Sequence, residues 1–234
     1  MRAVALVFPL LIMAACQTAP PPGDAAVVRT AVLSEPVRAG PTLPDAPRYL
    51  VDPLASEVRL LVYRDGPLAR FGHNHAIVGR IHGEVRAGNA AAASGFRLEI
   101  PIGSFVLDPP AARAEEGEDF ATEVSEPARR ATRENLLGKD VLDAPQHPLI
   151  HIESIALVGP DWNPLVTARV TLRGATRDLR FPAAVFRQDD ALTVIASFRI
   201  RQSEFGIEPF TTLNGGLRVR DELDVRIRLV ARRE

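Results

Sequence analysis

The residues best suited to chemistry lie in one hexapeptide, Arg70-Phe71-Gly72-His73-Asn74-His75, of a 234-residue chain. Side chains two apart on an extended backbone project to the same face, so the imidazoles of His73 and His75 share a side. Their parity is that of the row Ile77, Gly79, Ile81, Gly83 and Val85, which turns both rings toward an apolar face. Three readings are open. The pair can hydrogen-bond an anionic head group at the mouth of an apolar site, helped by Arg70, or supply two ligands to a metal or haem. Alternatively, one histidine satisfies a turn while the other faces water. A closed zinc site takes four ligands, and the only cysteine, Cys16, is far away near the N-terminus. His147 or His151 would have to join, and spacing alone does not bring them.

Little else points to catalysis. No cysteine follows Cys16, no serine elbow is recognisable, and the carboxylates alternate on outward faces rather than converging. The chain therefore reads as a binding protein, not an enzyme. His82 and His151 fall on outward faces. The acidic run Glu115, Glu116, Glu118 and Asp119 reads as a wet loop, and Trp162 as turn packing. A formal net charge of -1 excludes a nucleic-acid surface, which needs a net basic face.

The elements that position these residues begin after an export signal. Arg2 precedes an apolar run, Ala3 to Ala15, too short to span a bilayer but suited to a cleaved signal peptide over residues 1–15. Its end, Ile12-Met13-Ala14-Ala15-Cys16-Gln17, resembles the lipobox of bacterial lipoproteins, so Cys16 is the expected lipidation site. Gln17 in place of aspartate implies, by the same resemblance, an outer-membrane anchor facing the periplasm. Residues 16–46 read as a disordered tether, with prolines at 20, 21, 22, 36, 41 and 44 and another at 47.

From residue 47 to 234 the chain alternates. Val58, Leu60 and Val62 share a face, as do Phe96, Leu98, Ile100 and Ile102. Ile150 and Ile152 follow, then Val166 to Leu172, Leu179 to Val185, and Leu192 to Ile200 through Phe198. A long last strand runs from Leu217 to Leu229. Turn residues separate these rows, which indicates an antiparallel barrel or sandwich. One segment does not alternate: Asp108 to Glu126, rich in proline, alanine and acid, reads as an exposed excursion. Ser125 and Pro127 then start one short helix, which the spacing ends at Gly138 in a left-handed cap.

Periodicity does not separate a filled core from a cavity. Long strands, and inward rows mixing Gly79, Gly83, Ala168, Ala183 and Ala196 with large residues, favour a cavity wide enough for one ligand.

Five segments carry a family likeness: Asn135-Leu136-Leu137 with Asp143; His147 to Ser154; Ala168 to Arg177; Ser203-Glu204-Phe205-Gly206-Ile207; and Asp221 to Val225. In order and spacing they resemble the YceI-like family, over about 100 residues. The N-terminal half departs from the family pattern at His73 and His75 and at the 111–126 excursion. The resemblance implies an all-β, antiparallel lipocalin-like β-barrel that binds a polyisoprenoid-type lipid. On that reading the ligand-binding residues are Arg70, Phe71, His73, His75, Ile77, Ile81, Ile150, Ile152, Phe198 and Phe205. No cofactor other than the bound lipid is expected, with metal or haem at His73 and His75 as the alternative. The implied partners are an apolar lipid and the membrane through lipidated Cys16, with a homodimer left open. The remaining alternative is a filled interaction domain of an envelope assembly.

Overall fold

The computed structural model describes residues 41–234. The expected signal peptide, Cys16 and most of the tether lie outside the described residues. Near the start of that range, Leu43 and Pro44 lie against Gly95, where an added Cβ would come within 2.9 Å of the Pro44 ring.

The strands follow the alternation. They are β1 (Arg48–Val51), β2 (Glu57–Val62), β3 (Arg64–Asp65), β4 (His75–Arg80), β5 (His82–Arg86), β6 (Gly95–Pro101) and β7 (Val106–Leu107). Two helices come next, α1 (Pro110–Ala114) and α2 (Glu126–Leu137). After them run β8 (Leu149–Val158), β9 (Leu165–Leu172), β10 (Ala175–Gln188), β11 (Ala191–Arg201), β12 (Thr211–Thr212), β13 (Leu217–Val219) and β14 (Glu222–Arg233). β1 and β2 act as one interrupted wall strand, and β4 and β5 as another broken at Ile81. With β6, β8, β9, β10, β11 and β14 they make a closed eight-stranded antiparallel barrel. β14 closes it. One edge pairs with β11 from Ala191↔Arg232 to Arg201↔Glu222; the other is shared between β2, at Leu61↔Asp224, and β1, at Tyr49↔Arg233. The expected lipocalin-like barrel is the fold observed, with α2 as its short helix and α1 little more than a single turn.

The two glycines in the Ile77 to Val85 row serve close packing, not a ligand. A Cβ on Gly79 would lie 2.6 Å from the Phe105 ring, and one on Gly83 would lie 2.2 Å from the Arg97 carbonyl. Gly83 also sits at φ +129°, where side chains are strained. The wall strand bends here, and its pairing passes from β2 to β1 on one edge and from β7 to β6 on the other.

Three expectations are corrected. Gly138 does end α2, but in an extended conformation (φ -67°, ψ 165°) rather than a left-handed cap. The last helical carbonyls are taken instead by Leu142 N–H on Leu136 and Ala144 N–H on Leu137, so the following turn caps the helix. The long last strand is two strands. Asp221 breaks it by accepting from the Ser203 N–H and hydroxyl, and β13 joins β12 and β3 in a small separate sheet. Trp162 does not pack into its turn; it is two-thirds exposed.

The fourth correction is the largest. The 108–124 excursion folds back over the outside of the barrel, where Ala112 and Phe120 are buried with Leu61 and Ala76 beneath them. Its acidic run is only partly wet. Arg59 and Arg226 stand directly opposite on β2 and β14, a like-charge pairing that opposes the sheet on its own. The Glu116 carboxylate, 1% exposed, lies 2.7 Å from both guanidinium groups and neutralises the repulsion. Burial works against the charge on Arg59, yet its bonds to Glu116, Glu115 and Glu57 raise its pKa overall.

Glu116→Gln leaves two arginines facing each other across a ladder, with one of them buried. It is expected to cost about 3 kcal/mol, whereas Glu115→Gln, at a side chain 65% exposed, changes stability by less than about 1 kcal/mol. Urea unfolding of the two variants measures the difference.

Candidate functional site

The inward rows do not fill the barrel. A cavity of about 350 Å³ runs down its axis, within the usual range for small-molecule sites. Its wall is aliphatic and aromatic: Val58, Leu60 and Val62 from β2, Ile77 from β4, Ile150 and Ile152 from β8, and Val225 and Ile227 from β14. α2 lies along the opening and lines it with Thr132, Asn135 and Leu136. Leu136 and Leu137 pack against the core, but the helix has no fully buried residue, and the cavity remains beneath it. The opposite lip is the small sheet of β12, β13 and β3 with the 66–72 loop. There the Leu68 N–H donates to the Gly216 carbonyl, and Gly72 closes against Leu217.

His73 and His75 both line the mouth, as their parity predicts, with ring centroids 6.4 Å apart. Their environments differ. The His75 Nδ1 lies 2.7 Å from Oδ2 of Asp108, whose side chain is fully buried. Asp108 Oδ1 accepts from the Ala76 N–H at 2.9 Å and from Arg113 Nη1 at 2.6 Å. Burial opposes the Asp108 charge, but the His75 ring, the Ala76 N–H and Arg113 hold its pKa below the ordinary carboxylate value. A carboxylate on Nδ1 favours a proton on that nitrogen, so in the neutral ring Nε2 is the acceptor. For His73, burial and then the neighbouring His75 and Arg113 lower the pKa, so its ring is neutral at pH 7. Tyr63, also at the mouth, donates to Asp224 at 2.9 Å; burial and that bond push its pKa up to about 12.

Phe71, Ile77, Ile150, Ile152, Phe198 and Phe205 line the same cavity as the two histidines. Arg70 and Ile81 lie outside its lining. The single helical turn Ala69–Phe71 rotates Arg70 outward, where its guanidinium stands 4.5 Å over the Phe71 ring. Ile81 is buried at the break between β4 and β5. His82 is exposed, and His151 is half-exposed beside Glu99 at 3.4 Å, away from the mouth. Among the described residues, no group of three or more histidine, cysteine, aspartate or glutamate side chains gathers around a metal position.

The residue that the sequence does not reveal is Asp108. It stands at φ +53° just after β7, and the pairing of β7 with β4 carries it under His75. The available signal is an aspartate before two prolines with Arg113 five residues on.

The YceI-like domain profile matches residues 49–231. The barrel is similar to that of BcnA from Burkholderia cenocepacia, at 18% identity and a TM-score of 0.52, covering 77% of this chain and 98% of that one. It is also similar to a polyisoprenoid binding domain from Saccharophagus degradans implicated in plant cell wall breakdown. That match has 13% identity and a TM-score of 0.51, covering 80% of this chain and 98% of the other. No curated protein matches the chain in sequence.

Asp108→Asn is expected to cost about 3–5 kcal/mol, because it leaves the Arg113 charge buried without its partner. The folded pKa of Asp108 is depressed, so its contribution is present above the ordinary value of 3.8 and is lost as pH falls below it. Thermal unfolding across that acid range should show a shallower loss of stability in the variant than in the wild type.

Proposed function

The chain belongs to the YceI-like family, and from that premise we propose that it is an exported lipoprotein that binds a long apolar lipid of polyisoprenoid type inside its barrel. The observation that carries this reading is the axial cavity, walled by aliphatic and aromatic side chains, with polar groups such as His73, His75 and Asn135 in its lining. Each 100 Å² of chain surface removed from water contributes about 2.5 kcal/mol. Depth of burial therefore governs affinity. At the mouth, the His75 Nε2 accepts from a head-group hydroxyl, free or on a phosphate, while Asp108 keeps the ring from turning. The polyisoprenoid binding domain from Saccharophagus degradans, similar in fold, supports the choice of lipid class.

The address is the second part of the proposal. Cys16 follows a short apolar run and carries the lipid anchor, and the proline-rich residues after it hold the barrel away from an outer membrane on its periplasmic side. The protein then acts as a binder of lipid and not as an enzyme.

Protein extracted gently from its source membrane should carry a lipid mass in native mass spectrometry. Val170→Trp, which places an indole in the cavity, should lower the lipid-bound fraction about tenfold or more while leaving the unfolding transition cooperative. Wild-type protein free of any lipid would remove the carriage reading. Separately, Cys16→Ser should move the protein from the membrane fraction to the soluble fraction; unchanged fractionation would overturn the anchor.

A further inference from the structure

Below the main cavity lies a second, of about 90 Å³, bounded by small residues such as Ala183 and Ala196. Ile152 and Ile227 line both chambers. Between them stand two aromatic rings. Phe198 faces the upper chamber and Phe181 the lower, stacked with centroids 4.1 Å apart and planes 12° from parallel. That separation is van der Waals contact, so no chain passes between the rings.

The strand chemistry explains why the rings meet here. The β10–β11 register runs from Gln188↔Ala191 to Ala183↔Ala196 and stops. The N–H groups of Ala183 and Val185 donate away from β11, to the carbonyls of Pro164 and Trp162. By alternation, the N–H directed at β11 falls to residue 182, which is proline and has none. The ladder ends at Pro182, and the Phe181–Phe198 stack spans the wall just beyond it. Ala168, Ala183 and Ala196 pack with the lower ring, and Ala183 and Ala196 line the small chamber beneath.

We propose that the Phe181–Phe198 stack is a floor that sets the length of lipid chain the protein accepts, with Phe198 as the specificity-determining residue. The inference rests on the lipid-binding reading above and deepens it. Phe198 ends the bound chain, and the space below is sealed from it. Removal of this ring joins the two chambers and extends the accepted chain.

Linear isoprenoid alcohols of graded length, titrated by displacement of a fluorescent fatty-acid probe, test this. Wild-type protein should show an affinity that rises with length and then levels off. Phe198→Ala should move that plateau to longer alcohols, tightening the longer ones about tenfold for every two methylenes newly buried. Ala196→Leu fills the lower chamber. It should leave the wild-type plateau where it is, and in the Phe198→Ala background it should restore it. If Phe198→Ala does not fold, Phe198→Val, which places a β-branched residue suited to a strand there, is read in its place. A plateau unmoved by either replacement would overturn the floor. So would an Ala196→Leu single variant with a shortened plateau, since the chain would then already occupy the lower chamber. Failure of wild-type protein to bind any alcohol would instead count against lipid binding itself, which keeps the two failures apart.

Discussion

The buried carboxylate of Asp108 is the joint on which the mouth of the barrel depends. A charge with no exposure is tolerated only when donors surround it. Here the donors come from three places: the β4 backbone at Ala76, the His75 ring at the cavity, and Arg113 on α1. Arg113 in turn donates to the carbonyls of Asn74 and Thr122 and lies over the Phe120 ring. The need to bring a guanidinium to Asp108 is thus what draws the 108–124 segment onto the outer wall. That movement buries Ala112 and Phe120 and delivers Glu116 to the Arg59 and Arg226 pair. One ion cluster fixes both the orientation of a ring at the cavity and the packing of a satellite layer outside it.

The hollow has a different origin from the one suggested by small residues in the inward rows. Gly79 and Gly83 look like room for a ligand, but Phe105 and the Arg97 backbone occupy those spaces. The upper chamber lies beneath α2, the longer of the two helices, which lines it with Thr132 and Asn135 as well as Leu136 and buries no residue fully. Ala183 and Ala196 do leave space, but under the stacked phenylalanines, while Ala168 is packed into the cluster around the lower ring.

Where a signal is local, the sequence carries it. Val58, Leu60 and Val62, or Ile150 and Ile152, alternate because one face is wet, and period two reads directly as wall strands. His73 and His75 share the parity of Ile77, and both do reach the cavity mouth. Signals that depend on partners distant in the chain are silent. Proline, alanine and acid between 108 and 126 describe a surface composition, and nothing local says that Glu116 meets Arg226, 110 residues away, or that Asp108 meets His75. Arg70 misleads for the opposite reason. Its adjacency to the histidines is real along the chain, but one helical turn at Ala69–Phe71 aims it elsewhere.

β14 pairs with β11 on one edge and with the β1/β2 wall strand on the other, and the contact that seals the shell joins Tyr49 to Arg233. Almost the whole domain must therefore emerge before that last seam can zip. Such long-range closure slows folding, and until it happens the edges of β1, β2 and β11 stand unsatisfied and ready to associate with other chains. The barrel's ring architecture, which leaves no long wall strand unpaired once complete, makes the unfinished chain the aggregation-prone species.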